Sequence, residues 1–131
     1  MKKDIEFPEV KGVSIAVVKE WNTEFEMEDW NAYIINENDK DIDAVIIVTQ
    51  GFSTEKKTSK FRHMLGTIKA NDYQKFELMQ EGILSFRNEF SVTYFLNNTL
   101  YDKKFIFRKN TINENAFREI PVLNKKGVLV K

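Results

Sequence analysis

The chain has 131 residues, of which 42% are hydrophobic, and it has 20 basic and 20 acidic residues. This length predicts a single domain over residues 1–131 that buries a proper core. Zero net charge argues against a dedicated nucleic-acid binder, which carries a basic excess. The lack of cysteine excludes disulfide scaffolds and thiolate chemistry, and the single histidine excludes a site built from several histidines.

Short alternating runs of β-branched and aromatic residues predict strands in the first half of the chain. One run covers residues 13–21, and a second covers residues 30–35 before a polar turn at 36–41. Residues 44–49 are rich in β-branched side chains. They predict a strand that is buried on both faces and ends at Gly51.

The middle of the chain is ambiguous between strand and helix. Residues 61–65 alternate as in a strand, and they also fit one face of a helix. We favour a strand there, preceded by a flexible polar loop at residues 53–59. Residues 73–79 are equally ambiguous, because Phe76 and Leu78 alternate within a segment that is short for a helix.

The clearest local pattern is a β-hairpin around Asn97 and Asn98. Alternating segments at residues 90–96 and 100–108 flank this pair, and asparagine tolerates the positive φ that a tight hairpin turn needs. Further on, the capping-box spacing from Thr111 to Glu114 predicts a short helical turn near residues 111–118.

The sum of these elements predicts an all-β protein. About seven or eight short antiparallel strands without a long helix are typical of an immunoglobulin-like β-sandwich. The two cysteines of antibody domains are missing, but many sandwich domains lack them.

Three segments carry a resemblance to a known family. They read WNAYIIN at residues 30–36, LYDKKFIF at 100–107 and IPVLNKKGVL at 120–129. They resemble a family of small uncharacterised bacterial proteins, and the resemblance covers most of the chain. Some members carry a phenylalanyl-tRNA synthetase subunit label. This chain is too short for a class II catalytic domain and lacks the arginine-bearing segments that hold ATP, so the resemblance implies a fold and no activity.

His63 is the only candidate for an imidazole base. On a strand it shares a face with Phe61 and Leu65, where a lone histidine is usually a hydrogen-bonded structural residue. A hydrolase that uses His63 needs a cleft and a neighbouring carboxylate, and the sequence has no Gly-x-Ser-x-Gly nucleophile elbow. We therefore expect a protein that is not an enzyme.

The sequence also lacks motifs for metals, cofactors and membranes. Asp39, Asp41 and Asp43 alternate, but an EF-hand loop counted from Asp39 lacks its glycine and its final glutamate. The five glycines are widely spaced, so neither a nucleotide loop nor a cofactor is expected. No run approaches the ~20 apolar residues of a membrane span. The first residues lack the pattern of a signal peptide, which favours a cytoplasmic protein without a membrane partner.

Charge is distributed unevenly along the chain. Residues 1–54 hold 5 basic and 12 acidic residues, whereas residues 55–131 hold 15 basic and 8 acidic residues. If the two signs separate on the surface, they favour head-to-tail association or a charged partner.

The apolar C-terminal tail is a candidate contact surface. It either packs as a last strand on its own domain or adds to the sheet edge of a neighbour. The residues concerned are Val122, Leu123, Val128, Leu129 and Val130.

Two functions compete on this basis. The first is contact with a partner protein or with a second copy of the chain, through an exposed apolar patch on a sheet. The alternative is a pocket for an apolar or sugar-like small molecule, lined by Trp21, Trp30 and Tyr33. Binding of nucleic acid requires a contiguous basic face and is not expected.

Overall fold

The computed structural model describes residues 7–131, and the N-terminal residues considered for a signal peptide lie mostly outside this range. Within it the chain forms nine β-strands and two single-turn 3-10 helices. The strands are β1 (Val13–Asn22), β2 (Met27–Asn36), β3 (Ile42–Phe52), β4 (Phe61–Ile68), β5 (Asp72–Met79), β6 (Arg87–Leu96), β7 (Thr99–Phe107), β8 (Arg118–Ile120) and β9 (Lys125–Val130).

The strands form two antiparallel sheets, as in the β-sandwich that the sequence predicts. One sheet has the order β5-β2-β1-β9-β8, and the other has the order β4-β3-β6-β7. β1, β2 and β5 share one sheet while β3, β6 and β7 share the other, as strands A, B, E and C, F, G do in immunoglobulin domains. The described residues contain nine strands rather than seven or eight, because the tail contributes the hairpin of β8 and β9.

The main core lies between the sheets because alternate side chains of each strand point inward. Ile15 of β1 and Ile47 of β3 are buried there, one from each sheet. Phe90 packs edge to face against Phe107, with ring centroids 5.4 Å apart. Large aromatic side chains thus form part of the main core between the sheets.

β3 is longer and more one-sided than the sequence predicts. It begins at Ile42 rather than at residue 44, and it runs through Gly51 to Phe52 instead of ending at Gly51. Ile47 is buried, whereas Ile46 and Val48 are only half-buried. The prediction of burial on both faces is wrong, because only the inner face of this sheet meets the other sheet.

The segments that were ambiguous at residues 61–65 and 73–79 are both strands, β4 and β5. The predicted β6–β7 hairpin is confirmed as well. Asn97 and Asn98 have φ values of 51° and 61°, so both occupy the left-handed region that the tight turn requires.

The predicted helical turn is shorter than residues 111–118 and has a different cap. It is one 3-10 turn, Glu114–Ala116, and the Asn113 side chain accepts a hydrogen bond from the Asn115 amide. The hydroxyl of Thr111 donates to the Arg108 carbonyl instead. Asparagine is as good a cap as threonine, and here it lies directly before the turn.

A second apolar cluster lies on the outer face of the five-stranded sheet. Its buried members are Ala16, Val18, Tyr33, Ile35, Ile120 and Leu123. Ile120 is the last residue of β8, and Leu123 lies in the turn between β8 and β9. The central part of β1 and β2 is therefore buried on both faces, and the C-terminal hairpin contributes to both clusters.

The C-terminal tail packs on its own domain. β9 pairs with β1 from Val130 opposite Ile15 to Gly127 opposite Val18. Of the contact residues proposed from the sequence, Val128 is buried in the main core and Leu123 in the second cluster. The half-buried ones are Val122, Leu129 and Val130.

We expect Gly127→Ala to lower the free energy of unfolding by about 2 kcal/mol, within the range for overpacked sites. A Cβ at this position lies 2.6 Å from the carbonyl oxygen of Val17, a backbone atom that cannot rotate away. Gly82→Ala is the matched control, because no atom lies within 4 Å of a Cβ there. Urea denaturation compares the three proteins, and wild-type stability of Gly127→Ala would contradict the close approach of β9 to β1.

Candidate functional site

A cleft opens between the sheets where the edge strands β4 and β5 face each other. Its volume is about 360 Å³, which lies in the range of small-molecule sites. Its apolar lining comes from Phe61, Leu78, Ile83 and Phe90, and its polar lining includes Thr49, His63, Glu77, Gln80 and Asn88. The cleft thus combines apolar walls with a small number of polar groups.

Two of these polar side chains, Thr49 and His63, bond to the same carboxylate oxygen of a third, Glu77. Oε1 of Glu77 accepts a hydrogen bond from the Thr49 hydroxyl at 2.7 Å and lies 2.8 Å from Nε2 of His63. A bond to an ionised carboxylate, which only accepts hydrogen bonds, requires the hydrogen on Nε2 of His63. Thr49 is buried, while the side chains of His63 and Glu77 keep 23% and 15% of their surface exposed.

A β-bulge in β5 directs Glu77 into the cleft. The register between β2 and β5 shifts where Ala32 pairs with Glu77 and Tyr33 pairs with Lys75, which leaves Phe76 as the extra residue. Phe76 packs against the main core, and Glu77 bonds to Thr49 of the opposite sheet. Two successive side chains therefore point inward, which a regular strand does not allow.

Aromatic packing fixes the position of the imidazole. The ring of Phe76 lies edge to face against the ring of His63, with centroids 5.4 Å apart, and against Phe90 at 5.9 Å. His63 is thus held by a ring contact as well as by its bond to Glu77.

The second oxygen of Glu77 is available to a ligand. Within residues 7–131, both hydrogen bonds to this carboxylate go to Oε1, and none goes to Oε2. Oε2 is not fully buried, so solvent or a ligand can reach it. An accessible carboxylate oxygen that no protein donor occupies can accept a hydrogen bond from a ligand.

The structure does not bring the three predicted ligand-binding aromatics together. Trp30 is 8% exposed, belongs to the main core and packs edge to face against Phe117 at 5.7 Å. Trp21 is exposed near the end of β1. Tyr33 belongs to the second cluster, on the opposite face of the sheet from Trp30. None of the three lines the cleft.

Tyr33 takes part in a hydrogen-bond network around Glu20. The Tyr33 hydroxyl donates to Oε1 of Glu20 at 2.6 Å, the Asn31 amide donates to the same oxygen at 2.9 Å, and Lys125 contacts Oε2. Burial on its own raises the pKa of Glu20, but the hydrogen bonds from these three groups hold it below its ordinary value. Burial and the bond to Glu20 raise the pKa of Tyr33. The network ties β9 to β1 and β2.

No group of three or more potential metal ligands lies close together among residues 7–131. In the acidic segment considered for calcium, Asp41 accepts a hydrogen bond from the Ala70 amide and Asp43 accepts one from the Thr67 hydroxyl. No helix among the described residues has the length and hydropathy to cross a membrane.

The chain matches no family model, no curated protein and no solved structure in comparisons with known proteins.

Sequence reasoning singled out His63 but neither of its partners. Glu77 lies 14 residues from His63 and 28 residues from Thr49 along the chain, so no short motif links them. Regular alternation also places Glu77 on the face opposite Phe76 and Leu78, which the pattern assigns to solvent. The bulge turns Glu77 to the inner face instead, and no local residue pattern predicts the bulge.

The lowered pKa of Glu20 predicts that the free energy of unfolding falls in acid. Because its pKa in the folded state is below its ordinary value of 4.5, its contribution to stability is fully present above pH 4.5 and is lost as the pH falls through the folded-state pKa. We expect the unfolding free energy of Glu20→Gln to depend less steeply on pH in this acid window than that of the wild type. Urea denaturation at a series of pH values measures it, with Glu24→Gln as the exposed control. Parallel curves for Glu20→Gln and wild type would contradict the role of the network.

Proposed function

We propose that this chain is a non-enzymatic binding protein that holds a small ligand in the cleft between β4 and β5. The ligand has an apolar body and a head group that donates hydrogen bonds. The observation that carries the proposal is the state of Glu77, whose Oε1 is held by Thr49 and His63 while Oε2 is without a donor among the described residues. This carboxylate lies in a cleft of about 360 Å³ with apolar walls.

The walls supply the attraction for the apolar body. Phe61 and Leu78 line the cleft and are exposed in the free protein. Covering them removes apolar surface from water, which is favourable by about 25 cal/mol for each Å² buried. Ile83 and Phe90 extend this apolar lining.

Glu77 supplies the selectivity. A ligand that donates a hydrogen bond replaces the water lost by Oε2, and a cationic head group adds charge attraction. A ligand without a donor covers the carboxylate oxygen and leaves it without a hydrogen bond. This lowers the binding free energy by about 1–3 kcal/mol for a neutral group and by more for a charged one. An anionic ligand is repelled.

The order of the three polar groups supports binding rather than hydrolysis. In a Ser-His-Asp relay the imidazole lies between the hydroxyl and the carboxylate, and it removes the hydroxyl proton. In this cleft the carboxylate lies in the middle, because Thr49 and His63 both bond to Glu77. The hydrolase hypothesis thus has its cleft and its carboxylate beside His63, but the Thr49 hydroxyl donates its hydrogen to Glu77 and not to the base.

Benzylamine, benzyl alcohol and benzoate form a matched set of probes, since they share a ring and differ in the head group. We expect benzylamine to bind with a dissociation constant of about 1 mM, as suits so small a ligand, benzyl alcohol to bind more weakly, and benzoate not to bind. Titration of ¹⁵N-labelled protein is expected to shift the backbone amide signals of Thr49, His63 and Glu77.

Glu77→Gln keeps the shape of the side chain and removes its charge. We expect it to weaken benzylamine binding about tenfold and to abolish the preference for benzylamine over benzoate. Glu119→Gln, an exposed carboxylate on β8, is the control and should bind like the wild type. Benzylamine shifts away from the cleft, or equal affinity in Glu77→Gln, would refute the proposed site.

A further inference from the structure

The cleft is flanked by two loops at one end of the sandwich. Leu78 and Gln80 line both the cleft and a second recess, whose other walls include Phe25 and Met27 from the region of the β1–β2 turn. On its other side the cleft is lined by Thr58 and Ser59 of the β3–β4 loop. The β1–β2 turn, the cleft and the β3–β4 loop therefore follow one another across this end.

The β1–β2 turn is acidic. Residues 20–29 include five carboxylates and no cation. Glu24, Glu26 and Glu28 are exposed, and none of them forms an ion pair with any residue in the described range. Their negative charges thus lie on the surface without a bonded cation.

The β3–β4 loop and the start of β4 are basic. Four cations are exposed there: Lys56, Lys57, Lys60 and Arg62. Glu55 is the single carboxylate within residues 53–62. None of these cations is paired with a carboxylate of residues 7–131. This side of the cleft therefore carries the opposite sign.

Large apolar side chains lie among these charges. Phe25 and Met27 lie on the acidic side, Leu78 lies in the centre, and Phe61 lies on the basic side. Their exposed fractions range from 51% to 68%. Apolar side chains that are exposed together and rimmed by charge mark interaction surfaces. We call residues 24–28, residues 56–62 and Leu78 the dipolar end.

We propose that the dipolar end binds the dipolar end of a second copy of this chain about a two-fold axis. A rotation of 180° about an axis near Leu78 brings each acidic turn against the basic loop of the other copy. Both ion-pair clusters then form together, with the apolar side chains between them. The surface is complementary to itself in this way, whereas a partner of one charge sign meets attraction on one half and repulsion on the other.

This inference does not depend on a ligand in the cleft. From the sequence, separation of the two signs favours head-to-tail association or a charged partner. Both signs lie at the same end of the molecule, so we expect a two-fold contact instead. A two-fold contact closes after two copies, so we expect a dimer and no larger assembly.

Sedimentation velocity of the full chain tests the dimer. We expect a monomer–dimer equilibrium at about 50 mM salt, with dimerisation at least about tenfold weaker at about 500 mM salt, where charge pairs are screened. Glu77→Gln is expected to dimerise like the wild type, which separates this test from that of the cleft.

Paired charge reversals test the two-fold arrangement. We expect the E24K/E28K and K56E/K60E variants to be monomers on their own, because like charges then meet across the axis. Mixed together, the two variants are expected to form a heterodimer, since each acidic position again faces a basic one. E37K/D39K, a reversal of the same size on the exposed β2–β3 turn, is the control and should dimerise like the wild type.

Five outcomes would overturn the proposal, the first four of which concern the assembly itself. The wild type could be a monomer at low salt and about 0.5 mM protein, or it could form a larger assembly. E24K/E28K could dimerise as tightly as the wild type. The E24K/E28K and K56E/K60E variants could fail to associate when mixed. Binding of oligolysine to a monomeric wild type would also overturn it, because the acidic turn would then serve a basic partner instead of a second copy.

Discussion

The bulge in β5 determines which side chains of this edge strand point toward the interior of the sandwich. One extra residue in the register with β2 lets Phe76 and Glu77 both face inward. Phe76 continues the aromatic packing of the main core, and Glu77 reaches across to Thr49 and His63 on the other sheet. A single register shift thus adds an aromatic ring to the main core, a carboxylate to the cleft and a hydrogen bond between the sheets.

The two edges of the five-stranded sheet differ in what lies next to them. At one edge β8 and β9 extend the sheet, and their connecting turn contributes to the second cluster, held by Lys125 on Glu20. At the other edge β5 faces β4 across the cleft. The C-terminal hairpin thus covers one edge of the sheet, while β5 at the other edge carries Glu77, which bonds to Thr49 and His63 of the opposite sheet.

The sequence predicted those parts of the fold that local chemistry controls. The paired asparagines specify the β6–β7 turn because positive φ is a property of the residues themselves. Features that depend on distant neighbours were missed. The alternation of Phe76 and Leu78 suggests one shared face, but Phe76 packs in the core and Leu78 is exposed, because the bulge intervenes. The site was found only through His63, since Thr49 and Glu77 join it by tertiary contacts.

The hydrogen bond between His63 and Glu77 can be observed directly, because His63 is the only histidine of the chain. A long-range ¹H–¹⁵N correlation spectrum of the imidazole shows which ring nitrogen carries the hydrogen. The account predicts a single tautomer with the hydrogen on Nε2 and protected from exchange by the bond to Glu77. A ring that exchanges rapidly between its two tautomers, or one with an unprotonated Nε2, would contradict it.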